Sequence, residues 1–556
     1  MPGASSFPPP ATADVLPRVG ARDPDFWLTI SAWAVIAFSC LQILLFAFGR
    51  DQGIYAAVAD AVLRGEMPYR DAWDFKPPGI FLIFALGRGV FGHNMIAPRL
   101  VEVAGLLLMV VGFMRLGRVF FGLQRVGLVG GALAALVHAE LEFWHTGQPE
   151  SFGGFVTVWA LVLTVADKPD KRRWLYWAGA GALFGCAFLL KPPLAGGAMV
   201  CAAYLARAEQ ARRPGKDLRG IMLPLGVLVA GAALPIIVCA LWFRFRGALP
   251  DLRWTMFEFT PGYTLLSWEG RGAPQTFYWA LEELFFKFSA LNAAGFLAAL
   301  LIPPMHGRER EGLFLLLGII SVELAGVCMQ GKFFPYHYGA TIPLVAFIAG
   351  LGLYKLWRRC LMGGLAGATV FVLFVVVTAI MRTAARDLDS FWERSSARMK
   401  YLVRASPYYT REILDRELAA VADYNLDADR RLASEMRRRT GEAATVFVWG
   451  FEPVVYILAD RRPASRFIYN VPQRVQWARD RARNTLMQDL AQRPPQLIAV
   501  QRNDVFPSVT GDDLDSRRAL ETFPELSALI QNDYQLVDSI EDFELYERRA
   551  ASVPPG

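Results

Sequence analysis

Charge is scarce in this chain. Only 20% of its 556 residues are Asp, Glu, Lys or Arg, against 54% hydrophobic, and the mean hydropathy is +0.30. That is too apolar for a water-soluble protein of this length, so a membrane is the expected solvent. Paired cysteine is lacking as well. The six cysteines (Cys40, Cys186, Cys201, Cys239, Cys328, Cys360) lie in or beside apolar segments without CxxC spacing, which argues against a disulfide framework or zinc site and for core packing. No loop contains GxxxxGK(S/T), GxGxxG after a strand, a GxSxG elbow or HExxH. Nucleotide-driven transport, dinucleotide redox chemistry and zinc proteolysis lose support accordingly. The +7 net charge does not indicate nucleic acid, because the basic residues interleave with acids or stand in short loops between apolar runs.

What the chain has in quantity is apolar runs of membrane-crossing length, such as Trp27 to Phe48, Ile221 to Phe243 and Leu361 to Met381. Each is near the roughly 20 residues that cross about 30 Å of hydrocarbon. The first is too long for a signal-peptide core and lacks a cleavage site, so it reads as a retained anchor behind a disordered cytoplasmic tail, residues 1–26. About eleven spans are expected, near 27–48, 95–113, 126–141, 150–166, 174–190, 192–206, 220–243, 285–303, 312–329, 339–354 and 361–381. Alternating the loops puts five basic clusters on one side: Arg115/Arg118/Arg125, Lys168/Lys171/Arg172/Arg173, Arg207/Arg212/Arg213/Lys216/Arg219, Arg308/Arg310 and Lys355/Arg358/Arg359. By the positive-inside rule that side is cytoplasmic, giving an N-in, C-out polytopic α-helical protein. Residues 27–382 form its transmembrane domain.

Residues 383–556 are polar and patterned like a folded outer domain. Helices expected at Arg411–Ala422, Ala428–Arg439, Gln473–Ala491 and Asp515–Gln531 alternate with strand-like runs at Thr445–Val448, Gln496–Val500, Tyr534–Ser539 and Phe543–Tyr546. A small soluble α/β domain is the economical reading.

The chemistry concentrates in the outer loops. The first, residues 49–94, is dense in Asp, Tyr, Trp and Lys. Asp51 stands where the chain leaves the first span, and Ile54, Val58, Ala61 and Val62 follow at helical spacing, so an interfacial helix would hold that carboxylate at the lipid boundary. A helix dipole alone also favours an acid there. Trp73-Asp74-Phe75-Lys76-Pro77-Pro78-Gly79 then fixes a lysine at headgroup level, suited to a lipid phosphate or simply snorkelling. Lys191-Pro192-Pro193 places a second cation inside an apolar run, where a charge is costly unless used, although a hairpin tip would also allow it. In the second outer loop His145 precedes Gln148-Pro149-Glu150, where Glu150 is a candidate acid that capping would equally explain. Lys332 through Tyr338 joins a cation, His337 and aromatics; an aromatic belt accounts for the tyrosines but not for Lys332 with His337. Carboxylates and lysines at the outer boundary suit transfer of a group from a lipid phosphate to a hydroxyl.

These residues resemble a known group. Asp51-Gln-Gly-x-Tyr55, then Gly65-x-x-Pro-Tyr69-x-Asp-x-Trp73-Asp74-x-Lys76-Pro-Pro-Gly79 and an FG…R segment, resembles the first luminal loop of GT-C type membrane glycosyltransferases. It is most similar to the protein-mannosyltransferase-like and RgtA/B/C/D-like group, which includes lipid A aminoarabinose and galacturonic acid transferases. Gln148-Pro149-Glu150, Lys191-Pro192, Tyr336-His337-Tyr338 and Val446–Phe467 follow in the expected order. The resemblance implies a polyprenyl-phosphate sugar donor and an inverting transfer to a lipid, glycan or protein acceptor on the periplasmic face of a bacterial inner membrane. It implies Asp51 as general base with Glu150 as the second-loop acid, and Lys76, Lys191, Lys332 and His337 at the donor phosphate. Tyr55, Tyr69, Trp73, Asp74 and Tyr336 would line the substrate. A divalent metal ion stays open: the aminoarabinose enzymes have an acid directly before the first-loop lysine, whereas this chain has Phe75, with Asp74 one residue earlier a weak substitute.

Three rivals share parts of this pattern. A secondary transporter would place its ionisable residues near the midplane, often with inverted repeats. A lipid-linked glycan ligase or polymerase would carry a large Arg- and His-rich outer loop, which residues 244–283 match only in part. A sensor with an outer domain would not need Asp51 or the two Lys-Pro-Pro steps.

Overall fold

A computed structural model describes residues 24–142, 146–166, 172–212, 218–268, 272–287, 289–380, 391–419 and 425–549. Residues 1–23, His145, Lys168, Lys171, Arg213, Lys216 and the expected boundary at 382–383 lie outside these. The chain opens with α1 (Pro24–Leu45), α2 (Arg50–Leu63), α3 (Gly79–Phe91), α4 (Ile96–Phe121), α5 (Gln124–Glu140), α6 (Pro149–Val165), α7 (Arg173–Leu190), α8 (Gly197–Arg212) and α9 (Leu218–Phe245). After it come α10 (Leu249–Trp254), α11 (Thr260–Trp268), α12 (Ala273–Lys287), α13 (Ala290–Leu301), α14 (Glu309–Gln330), α15 (Thr341–Leu361) and α16 (Gly364–Ile380).

Among the described residues, five helices are long and apolar enough to cross a membrane: Pro24–Leu45, Ile96–Phe121, Arg173–Leu190, Met222–Phe245 and Glu309–Gln330. Each of the eleven expected segments is at least partly helical, but several are short. The segment expected at 192–206 starts instead with a 3-10 turn, Pro192–Gly196, because two consecutive prolines cannot continue the hydrogen-bond ladder of α7. That expected at 285–303 is interrupted at Ser289, whose extended backbone precedes α13 and whose hydroxyl caps it by accepting from the Asn292 N–H at 3.1 Å.

Apolar side chains point outward from α9 (Leu234, Ile237, Val238, Leu241) and α16 (Leu365, Val370, Leu373, Val377), a surface that lipid covers at no hydrophobic cost. Inside the bundle, small residues allow close crossings. A Cβ on Gly181 or Gly185 of α7 would collide with the carbonyls of Leu228 or Ala232 on α9. At one end of the bundle Asp25 accepts from Arg125 Nη1 (2.8 Å), the Tyr354 hydroxyl (3.0 Å) and Trp357 Nε1 (3.0 Å), tying the starts of α1 and α5 to the end of α15. The loops bearing Asp51, Glu150, Lys191 and Lys332 gather at the other end.

The tail contains α17 (Phe391–Leu402), α18 (Arg411–Ala419), α19 (Leu426–Arg439), β1 (Thr445–Trp449), α20 (Val454–Ala459), β2 (Arg462–Pro463), α21 (Val471–Arg474), α22 (Arg479–Gln492) and β3 (Leu497–Gln501). It ends with α23 (Pro507–Thr510), α24 (Ser516–Glu521), α25 (Pro524–Asp533), β4 (Tyr534–Ile540) and β5 (Phe543–Arg548). The strands form one mixed sheet in the order β2-β1-β3-β5-β4, with β1 parallel to β2 and β3, and β5 antiparallel to β3 and β4. All of β3 and all but the first residue of β1 are buried, and both are almost wholly apolar, as a covered parallel pair requires. The single helices expected at 473–491 and 515–531 are each divided, the second where Phe523 precedes Pro524 and leaves the helical region.

This tail is fastened to the segment between α1 and α3. Trp73 N–H donates to the Arg466 carbonyl at 2.8 Å, and Arg50 Nε to Glu452 Oε1 at 2.8 Å. A Cβ on Gly53 of α2 would lie 2.9 Å from the backbone nitrogen of Val454, so α2 and α20 meet backbone to backbone.

Candidate active site

Asp51 lies in the first turn of α2, as its spacing from the anchor predicts. Its Oδ2 accepts from Gln148 Nε2 at 2.9 Å. The Gln148 Oε1 in turn accepts from the Tyr55 hydroxyl at 2.8 Å, one helical turn after Asp51. Tyr55 is therefore buried and holds the amide that meets the carboxylate.

Lys76 is presented by a tight loop. Tyr69, in a left-handed backbone conformation (φ 70°), donates its hydroxyl to the Lys76 carbonyl at 2.8 Å, and Asp74 Oδ2 accepts from the Lys76 N–H at 3.2 Å. A tyrosine at positive φ is held there only by its surroundings, here Phe243 and Phe81. The Lys76 ammonium lies 4.3 Å from the Phe75 ring centroid and 5.9 Å from that of Tyr55, and among the described residues it has no hydrogen-bond or ion-pair partner. Burial disfavours its charge, yet Asp51, Asp74 and Glu150 together more than offset this and hold its pKa above the ordinary lysine value.

Glu150 follows Pro149 in the first turn of α6, and Lys191 ends α7 in extended backbone before its two prolines. The two side chains form an ion pair, Lys191 Nζ to Glu150 Oε1, in which Glu150 is buried and Lys191 largely so. Burial pushes Lys191 below the ordinary lysine value in spite of Glu150. The other carboxylate oxygen of Glu150 is buried without a hydrogen-bond partner among the described residues.

Lys332 lies 3.2 Å from the Tyr263 ring centroid, and its side-chain nitrogen too is buried without a hydrogen-bond partner among the described residues. Burial, then Lys76 and Lys191, lower its pKa to about 6. Burial and the nearby Lys191 likewise keep His337 well below its usual range. Its Nδ1–H donates to the Lys332 carbonyl at 2.6 Å, so the 4.0 Å approach of Nε2 to Glu150 joins a neutral imidazole to a carboxylate and is not a salt bridge. Tyr336 stacks on Phe334 (5.6 Å) and meets His337 edge-on (4.7 Å).

Asp74 and Trp73 face the tail. Tyr469 donates its hydroxyl to Asp74 Oδ1 at 2.7 Å. Trp73 Nε1 donates to Thr255 Oγ1 at 3.2 Å, and its ring meets Phe259 edge-on at 4.7 Å within a buried aromatic cluster. Among the described residues no group of three or more His, Cys, Asp or Glu side chains is gathered to hold a metal ion. With Phe75 beside Lys76, and Asp74 engaged by Tyr469 and the Lys76 N–H, the donor set does not fit a divalent ion.

Asp51, Asp74, Lys76, Glu150, Lys191, Lys332 and His337 thus share one electrostatic environment. The sequence reading missed Tyr469, Tyr263 and the amide of Gln148. Tyr469 stands two residues past the Val446–Phe467 stretch, and Tyr263 lies in the 244–283 loop, a partial match to a polymerase loop.

Residues 75–242 match the dolichyl-phosphate-mannose-protein mannosyltransferase family. The whole fold is similar to the crystal structure of ArnT from Cupriavidus metallidurans bound to undecaprenyl phosphate, with 15% identity and a TM-score of 0.52 over 96% of this chain and 100% of that one. The oligosaccharyltransferase AglB from Archaeoglobus fulgidus, solved with an inhibitory peptide and a dolichol phosphate, is 14% identical with a TM-score of 0.46 over 95% of this chain and 75% of that one. Arabinofuranosyltransferase AftD from Mycobacteria is 12% identical with a TM-score of 0.42 over 94% and 42%. No curated protein matches the chain. The matched family segment includes Lys76, Glu150 and Lys191, and the ArnT-like fold extends over nearly the whole chain, so the GT-C resemblance read from the first loop is borne out.

Proposed function

We propose that this chain, a membrane protein of GT-C fold, is a glycosyltransferase that moves a sugar from a polyprenyl-phosphate donor to a hydroxyl of an envelope acceptor. The observation that carries this reading is a pair of lysine side chains, Lys76 and Lys332, buried near one another with neither a hydrogen bond nor an ion pair at their nitrogens among the described residues. Two such nitrogens, one charged and one that an arriving anion would charge, call for an anion from outside, and a lipid phosphate at headgroup height supplies one.

The chemistry follows from these groups. A phosphate ester leaves without needing a proton, so the transfer requires one base and cations for the charge that develops. Asp51 takes the proton of the acceptor hydroxyl as its oxygen bonds to the anomeric carbon. The carbon–oxygen bond to phosphate breaks on the opposite side, which inverts that centre. The departing charge meets Lys76 and Lys332, with Lys191 held in reserve by Glu150. Tyr336 and Asp74 edge the donor sugar.

The same reading takes the eleven helical segments as spans, the Asp25 end as cytoplasmic and the Lys76 end as periplasmic in a bacterial inner membrane. It takes residues 383–556 as a periplasmic domain roofing the site. The acceptor class is lipid A or another glycan, or protein.

Native mass spectrometry with undecaprenyl phosphate tests the donor assignment. The wild type retains the lipid and Lys76→Ala loses it by about tenfold or more in affinity, the scale of one charge-assisted contact. Equal retention by both removes Lys76 from the donor site.

A further inference from the structure

Two separate outer segments carry the site, and Gln148 reaches Asp51 only if they stay in register. A buried ionic cluster that touches neither segment's reactive groups lies between them. Glu102 on α4 is wholly buried. Its Oε2 accepts from Arg99 Nη1 at 2.9 Å, and its Oε1 accepts from the Gly147 N–H at 2.5 Å and pairs with His138 Nε2, on α5, at 2.8 Å. Arg99 extends further, Nη1 donating to Thr146 Oγ1 at 2.6 Å and Nη2 to the Ala47 carbonyl at 3.0 Å.

The cluster therefore grips both segments next to the reacting groups. On one side it holds Ala47, just ahead of Asp51. On the other it holds Thr146 and Gly147, the residues immediately before Gln148. Gln52 adds a cross-tie: its Oε1 accepts from the Gly49 N–H at 2.8 Å, and its Nε2 donates to the Thr146 carbonyl. Gly147 has a positive φ of 70°, and a Cβ there would stand 3.0 Å from Arg99 Nη1, so the turn and the guanidinium fit closely.

We infer that Arg99, Glu102 and His138 are positioning residues that hold the Ala47–Gln52 and Thr146–Gln148 segments in the register at which the Gln148 amide meets Asp51. Desolvating three such groups is expensive, and an apolar filling would stabilise the helices as well or better. What apolar residues would not supply is the set of directed bonds to Ala47, Thr146 and Gly147. The inference rests on the reading of Asp51 as the base.

Glu102→Gln, Thr146→Val and Gln148→Ala, made in the full-length protein in lipid bilayers, test this by transfer from a labelled undecaprenyl-phosphate sugar. Glu102→Gln lowers kcat by about tenfold to a hundredfold, the scale of a misplacement near 1 Å, with the donor KM within about twofold. Gln148→Ala gives the same split between kcat and KM, and adding Glu102→Gln to it lowers kcat little further, because the amide through which Glu102 acts is already gone. Thr146→Val, which keeps the side-chain shape, gives a smaller fall in kcat of the same kind and decides the matter if Glu102→Gln does not fold. A merely structural role lowers the active fraction and leaves kcat per folded molecule in place. Wild-type kcat per folded molecule in Thr146→Val and in folded Glu102→Gln overturns the inference. Wild-type activity in Asp51→Asn would instead overturn the assignment of the base, a separate failure.

Discussion

Tyr469 of the tail donates its hydroxyl to Asp74 of the loop between α2 and α3 at 2.7 Å, joining residues 395 positions apart beside Lys76. Both partners are buried, and the other Asp74 oxygen fixes the Lys76 backbone. The tail is thereby part of the wall of the site. Tyr469→Phe removes a hydrogen bond to a charged group, expected to cost about 1.5–3 kcal/mol. A double-mutant cycle with Asp74→Asn, read from denaturation, should give a coupling of about 1 kcal/mol or more. Additive effects would show that the tail does not lean on the loop.

Glu150 and Lys191 face each other from α6 and α7 in a site where neither charge reaches much water. Removing one partner of such a pair costs about 3–5 kcal/mol because the other is left buried alone. Lys191→Met and Glu150→Gln should each lower the thermal midpoint sharply, and the double variant should recover most of the loss. A double variant no more stable than the weaker single one would contradict the pairing.

Lys332 has a pKa lowered to about 6, first by burial and then by Lys76 and Lys191. The unfolded chain holds that proton up to about pH 10, so the unfolded state binds more protons between these values and stability rises with pH across that window. An anion arriving at Lys332 favours its charged form and raises the pKa again. Near pH 8 the binding of undecaprenyl phosphate should therefore take up close to one proton, seen by calorimetry in buffers of different ionisation heat. The uptake should vanish in Lys332→Met and fade below about pH 6. Proton-neutral binding at pH 8 would contradict a phosphate at Lys332.

Local pattern carried much of this legibility and distance limited it. The apolar runs, the Pro-Pro breaks and the β-branched runs at Thr445 and Leu497 act through neighbours in sequence, and their elements form close to where they were expected. The division at Phe523 was also local, signalled by Pro524, but the longer helical periodicity outweighed it. The break at Val475–Ala478 is of another kind. Trp477 donates to the Phe259 carbonyl at 3.2 Å, a contact with the distant 244–283 loop that overrides helix propensity. Asp51, Lys76 and Glu150 could be named from their motifs. That Gln148 rather than a cation faces Asp51, and that Tyr469 faces Asp74, depends on segments roughly 100 and 400 residues apart and leaves no periodic trace. Gly53 is similar: its small size answers to the Val454 backbone.

Transfer of a labelled sugar from its polyprenyl phosphate, compared among wild type, Asp51→Asn and Lys76→Ala, tests the central claim most directly. Asp51→Asn keeps the shape and loses the base, so kcat is expected to fall by about a hundredfold or more while the donor still binds. Lys76→Ala is expected to lose both donor affinity and rate. Full activity in both variants would contradict the assignment of this site to sugar transfer.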